Sequence, residues 1–224
     1  MKNYILIRAK RKTIALYVRD GNVEVRAPHK MPKLEIDRFV VSKEKWITDR
    51  LAKSQEQAEC REIFALNYGD SISLRGTKRA IIKRYGALAG YDGEVFYLPP
   101  SLSAEQIKTI CVQVYRKLAK IHFTGRVLHY AEQLGVRPVT VKVNSAKTRW
   151  GSCSTQKSIN FSWRLIMADD SVIDYVIVHE LTHLIEMNHS VKFWTIVERV
   201  LPDYRHRQVR LKELQSRLNT ENWD

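Results

Sequence analysis

Val176-Ile177-Val178-His179-Glu180-Leu181-Thr182-His183-Leu184-Ile185-Glu186-Met187-Asn188-His189 is the stretch from which the rest of the chain is read. Its flanks are apolar, with no Pro or Gly, so it reads as a buried helix. Residues four apart on a helix share a face about one turn apart. His179 and His183 therefore present two imidazoles to one point, the geometry two zinc ligands need. Glu180 stands beside the pair, rotated around the helix, where it reaches a water at the metal without being a ligand. HExxH on a helix is a known metalloprotease signature, with the Glu as general base. A surface helix carrying two solvated histidines is the plainer alternative, and the apolar flanks argue against it. A buried Glu between two buried histidines is costly without a metal or a partner.

The helix supplies two ligands, so the chain must turn back for a third. His189 follows His183 by six residues, giving HExxHxxxxxH. Asn188 is the local candidate for the turn, and Ser190 can then cap a new helix from Val191. Glu198 on that helix and Glu186 compete as ligands. Glu198 is close to His183 for a Glu-ligand site, and Glu186 better suits a supporting role, so His189 is favoured. Three protein ligands leave a fourth position for water, the catalytic arrangement.

The 224 residues suffice for one large domain or two small ones, and a hydrophobic fraction of 44% supports a core. No apolar run reaches membrane-spanning length, so no membrane association is expected. The apolar part of Met1–Arg8 is too short for a signal peptide. Cys60, Cys111 and Cys153 are widely spaced and odd in number, which points to reduced thiols and a cytoplasmic location. Net charge is +14 and the pI near 9.8, which permits nucleic acid or nucleotides as partners. Residues 1–54 hold 14 Lys and Arg against 6 Asp and Glu, so +8 of the charge lies there. Arg8, Lys10, Arg11 and Lys12 form the densest group, which a solvated strand edge also explains.

In chain order, strands are expected near Tyr4–Ile7, 13–18 and 23–26, with a hairpin turn at Asp20-Gly21-Asn22. A single helix is expected over 34–59, with Trp46 and Ile47 among its apolar anchors. Three short strands come next, near 71–74, 79–85 and 94–98, ending at Pro99-Pro100, the expected domain boundary. Ser103 opens a long helix that Gly135 stops, with one face at Ile107, Ile110, Cys111, Val114, Leu118 and Ile121. A strand at 139–143, a compact turn at 148–154 and a second strand at 158–166 precede the HExxH helix, which starts at Asp169 or Asp170. A helix over 191–201, with Phe193, Trp194, Val197 and Val200 packing inward, and another from beyond Pro202 to about Leu218 complete the chain.

TRWGSC at 148–153, INFSWRL at 159–165, HELTHLIEMNHSVKFW at 179–194 and the basic, β-rich N-terminal part with Trp46-Ile47 resemble the YgjP-like metallopeptidases, which are similar to the WLM and SprT-type zinc proteases. The resemblance implies an α+β fold. A basic β-rich subdomain at 1–100 precedes a minimal zincin-like metallopeptidase domain at 101–224. It implies Zn2+ on His179, His183 and His189, Glu180 as base, and a protein or peptide substrate. WLM and SprT relatives are linked to cleaving proteins on DNA. YgjP-like members have also been labelled nucleotide phosphohydrolases, so a metal-dependent nucleoside triphosphate phosphohydrolase (pyrophosphatase) is the alternative function. The chain lacks a Walker-type glycine loop and a Mg2+-type carboxylate cluster, which counts against that alternative. A nucleic-acid-binding module with a purely structural zinc is a third reading, and it has no use for Glu180. Beside the helix, an edge strand near TRWGSC can hold an extended peptide. Arg149 and Asn160 are candidates for oxyanion or substrate contacts, and Tyr204 for polarising a carbonyl. Trp150, Trp163 and Cys153 read as packing residues.

Overall fold

The computed structural model describes residues 3–19, 21–86 and 88–223; Met1, Lys2 and Asp20, which enter the sequence-based expectations, lie outside them. The chain forms two compact units, Met1–Phe64 with Asn219–Asn222, and Ala65–Leu218 with Trp223–Asp224.

The first unit is a three-stranded sheet with two helices. Its strands are β1 (Ile5–Ala9), β2 (Ala15–Arg19) and β3 (Asn22–Pro28), and its helices α1 (Lys33–Ser42) and α2 (Glu44–Ile63). The sheet order is β1-β3-β2. β2 and β3 form the expected antiparallel hairpin, but β1 pairs with β3 in parallel, so the unit is more than a hairpin. Alternate residues of β3, Val23, Val25 and Ala27, face a small core with Ile36, Val40 and Ile47. The single helix expected over 34–59 is two, broken at Lys43. Ile47 is buried, whereas Trp46 stays 45% exposed. The Arg8 guanidinium donates to the carbonyls of Pro28, His29 and Met31 at 3.0, 2.8 and 2.8 Å. Arg8 thus latches the chain leaving β3, while Lys10 and Lys12 remain exposed.

The second unit begins with β4 (Ser71–Leu74), β5 (Thr77–Lys83), β6 (Gly90–Tyr91) and β7 (Phe96–Leu98), in the order β4-β5-β7-β6. These strands belong with the C-terminal residues, so the division expected near residue 100 falls instead after Phe64. The physical reason is packing against the long helix α3 (Ala104–Leu134). The Phe96 ring meets that of Tyr115 at 5.3 Å, and the Tyr115 hydroxyl donates to the Ser73 carbonyl at 2.6 Å. α3 opens on a Ser103–Gln106 capping box and closes at Gly135 with φ 66°, as its sequence signals require. Its buried face carries Tyr115 and Phe123 as well as Ile107, Cys111 and Val114, whereas Ile121 is 74% exposed.

A second sheet comes next, of β8 (Thr140–Asn144), β9 (Gly151–Cys153) and β10 (Ser158–Ser162), in the order β8-β10-β9. β10 pairs with β8 in parallel and with β9 antiparallel, so part of the expected turn at 148–154 is itself a strand. The strand expected to reach 166 stops at Ser162, and Trp163–Met167 winds into a 3-10 helix. That turn seats Trp163 in the core, stacked on Tyr115 at 5.6 Å. Helices α4 (Asp170–Thr182), α5 (Val191–Val200) and α6 (Tyr204–Leu218) complete the unit. Asp169 caps α4 by accepting from the Ser171 and Val172 amides at 3.1 and 3.3 Å. Arg126 of α3 donates twice to Asp174 of α4, at 2.6 Å each, and the Tyr130 hydroxyl adds a third bond at 3.0 Å. This clasp fixes α4 in rotation and height. No helix among the described residues is long and apolar enough to cross a membrane.

Candidate metal centre

α4 carries His179 and Glu180 in its last turn, and His183 is its C-cap. The backbone then folds back through residues 184–189. Asn188 lies in a bend of that return and has no positive φ. Ser190 caps α5 by accepting from the Phe193 amide, which holds His189 at the mouth of α5. The result is a cluster of His179, His183 and His189 whose candidate ligand atoms all lie within 4.8 Å of one another.

The donor set fits a metal ion. His179 Nε2 and His189 Nε2 stand 3.0 Å apart. Tetrahedral zinc with Zn–N bonds of ~2.0–2.1 Å sets its nitrogens about 3.3–3.4 Å apart, so the pair needs little movement. His183 Nδ1 lies 3.2 Å from the Glu186 carbonyl. A carbonyl only accepts, so Nδ1 carries the proton and the Nε2 lone pair is left for a metal. Burial, then His183 and His189, push the His179 pKa down to about 3, and burial lowers that of His183. Both rings are therefore neutral at physiological pH, the state that binds metal. His179 Nδ1 is buried and has no hydrogen-bond partner among the described residues.

Phe193 floors the cluster, with its ring 4.9, 4.7 and 4.7 Å from those of His179, His183 and His189. Trp194 stacks on His189 at 5.8 Å, and Tyr204 stacks on Trp194 at 5.4 Å. Sequence reading takes Phe193 and Trp194 as packing residues. They do pack, and what they pack is the imidazoles.

Glu180 is 6% exposed, and burial pushes its pKa up to about 7, with Arg149 drawing it back down. Its carboxylate lies against Gly151 of β9. A Cβ built there would sit 2.5 Å from Glu180 Oε1 and 2.6 Å from Cγ. Gly151 does not have a positive φ, so close approach explains the glycine and backbone conformation does not. The TRWGSC segment contains this glycine, but the sequence does not say what approaches it.

β9 is an edge strand. The Ser162 amide donates to the Trp150 carbonyl at 2.8 Å, and the Ser154 amide to the Ser158 carbonyl at 3.0 Å. Residues 150, 152 and 154 thus turn their main-chain groups toward β10, so those of Gly151 and Cys153 point outward along the free edge.

The remaining candidates separate. Arg149 is exposed and near enough to Glu180 to act on its charge. Asn160 pairs with Ser152 in the sheet. It therefore lies on the face opposite Gly151 and Phe161 and is turned away from Glu180. Tyr204 is buried one ring layer behind the cluster, and its hydroxyl accepts from Arg205 at 3.2 Å. Among the described residues neither Glu198 nor the Glu186 carboxylate joins the histidine cluster; Glu186 contributes its main-chain carbonyl instead.

A helix-borne histidine pair, a third histidine returned from the next element and a buried carboxylate beside them are the parts of a metallopeptidase centre. The chain matches the YgjP-like metallopeptidase domain over residues 12–214, and it belongs to that family. Among solved structures it is similar to the metallopeptidase zymogen of Pyrococcus abyssi abylysin, at 22% identity over 44% of this chain and 97% of that one, with a TM-score of 0.39. The zymogen of Methanocaldococcus jannaschii jannalysin is similar at 20% identity over 42% and 94%, with a TM-score of 0.37. None of the curated proteins matches.

Proposed function

We propose that this metallopeptidase is a zinc enzyme in which His179, His183 and His189 hold the ion and Glu180 is the general base. The observation that carries the reading is the convergence of three histidine ligand atoms within 4.8 Å, beside a carboxylate buried against Gly151. Zinc, when bound, supplies a Lewis acid that lowers the pKa of water to about 7. Glu180 takes a proton from the attacking water as its oxygen bonds to the peptide carbonyl carbon. It returns that proton to the nitrogen as the C–N bond breaks. A pKa of about 7 suits both halves of that transfer. The outward main-chain groups of Gly151 and Cys153 would pair with an extended peptide and present its carbonyl to the centre. Arg149, beside Glu180, is the better placed of the candidate substrate contacts.

The free thiols of Cys60, Cys111 and Cys153 support a cytoplasmic setting. The basic N-terminal segment supports contact with nucleic acid or nucleotides.

The test compares wild type with Glu180→Gln on an unfolded protein and on nucleoside triphosphates. The variant should keep its zinc and lose at least about a hundredfold in peptide hydrolysis. Equal rates would remove Glu180 as the base. Zinc-dependent release of pyrophosphate, with no peptide cleaved, would turn the reading to the phosphohydrolase.

A further inference from the structure

Beside the metal centre lies a cavity lined by Trp150, Tyr175, Gln208, Leu211, Lys212 and Gln215. Two of its walls adjoin catalytic parts. Trp150 immediately precedes Gly151, the residue against which the Glu180 carboxylate rests. Tyr175 lies one helical turn before His179, with their rings 5.9 Å apart. The cavity therefore opens beside the first histidine, next to the start of the free β9 edge.

Its volume is about 320 Å³. That is at the small end of the roughly 300–1,000 Å³ typical of ligand pockets, with room for a large side chain. Trp150, Tyr175 and Leu211 give it flat, apolar walls. The polar groups do little to change that character. Gln208 Nε2 is spent on the Tyr175 hydroxyl at 2.8 Å, which also holds that ring in place. Lys212 stands exposed on the wall, with Arg149 exposed beside the base, so a basic side chain would meet like charge.

We infer that this cavity is a specificity pocket of the peptidase, taking a large apolar or aromatic side chain from a residue flanking the scissile bond and excluding Lys and Arg. The inference rests on the peptidase reading. A peptide paired along the outward edge of Gly151 and Cys153 has its backbone fixed. A side chain dropping between Trp150 and Tyr175 then sets which bond stands at the centre. α6 thus takes part in substrate choice through Leu211.

The experiment uses the zinc-loaded full chain on a denatured protein, with cut sites read by mass spectrometry. It then uses paired peptides carrying Phe, Ala or Lys at the enriched position. Wild type should favour Phe over Ala by at least about tenfold in kcat/KM and disfavour Lys. Leu211→Asp should bring the Phe-to-Ala ratio close to one, and Leu211→Phe, which narrows the pocket, should move it toward Ala. Zinc content certifies that the variants are folded. A wild type that cuts with no side-chain preference overturns the pocket, whatever the variants do. So do zinc-loaded variants that keep the wild-type ratio. A zinc-loaded wild type that cuts no peptide overturns the peptidase reading, and the pocket falls with it.

Discussion

Helices α2 and α4 stand at opposite ends of a range. α2 runs over 20 residues and buries only Ile47; α4 runs over 13 and buries ten of them. Along α2, charged residues are ordinary because water satisfies them. Past Ser171 every side chain of α4 but that of His179 is buried, so each polar one must be satisfied inside the protein. Asp174 is satisfied by Arg126 and Tyr130. Thr182 donates to the Val178 carbonyl at 2.7 Å. His179, Glu180 and the second ring nitrogen of His183 are left over, and they belong to the residues proposed for the centre. In a buried helix, the polar residues that structure does not account for are the first candidates for chemistry.

Removing those exceptions breaks the contrast most severely. His179→Ala or His183→Ala should lower zinc affinity by more than the roughly 10–100-fold typical of losing a supporting group around a metal. His189→Ala should weaken binding strongly, and Glu198→Ala should leave it unchanged. If Glu198→Ala instead abolishes binding while His189→Ala does nothing, the third ligand is the glutamate. Hydrogen exchange sharpens the same contrast, because a ligand stabilises what it binds. Zinc should slow exchange in α4 and leave the sheet of β1–β3 as it was.

An intermediate effect is expected from Gly151→Ala. The added carbon would collide with Glu180 and displace either the carboxylate or β9. A displacement of about 1 Å near reacting groups costs on the order of a hundredfold in rate. Zinc content should hold, since the histidines do not depend on that contact. A variant as active as wild type would show that the base does not need its present seat.

The smallest effect belongs to the basic segment. If it contacts nucleic acid, Lys10→Ala with Lys12→Ala should flatten the dependence of log affinity on log salt by up to about two. Arg8→Ala belongs to another class of change, since its guanidinium is occupied by three carbonyls, and it should lower stability. Flat DNA titrations at low salt would return the charge to a solvated surface.

How legible each feature is in the sequence depends on how local its signal is. The HExxH spacing, the Ser103 and Ser190 caps and the Gly135 stop act within a turn or two of chain, and each appears in place. The parallel pairing of β1 with β3 depends on a crossing path that neither strand encodes. The break at Lys43 has no Pro or Gly to mark it. The apolar–polar alternation over 159–165 reads as strand throughout, and only Trp163 stacking on Tyr115 decides where β10 stops. The site divides along the same line. The helix pair is local. The partnership of Phe193 with three imidazoles, the turning away of Asn160 and the contact between Gly151 and Glu180 span elements, so spacing cannot reveal them.

That last contact makes positions 151 and 180 epistatic. Glycine at 151 is demanded by the neighbouring Glu180 side chain, for the backbone there has no positive φ. In a Glu180→Ala background the collision disappears, and Gly151→Ala should become neutral or mildly stabilising, because alanine reduces the freedom of the unfolded chain. A lineage that abandoned the base would then be free to drift at 151, while one that kept it would stay locked. The pair of letters at these two positions would record, in sequence alone, whether a relative still performs the proton transfer.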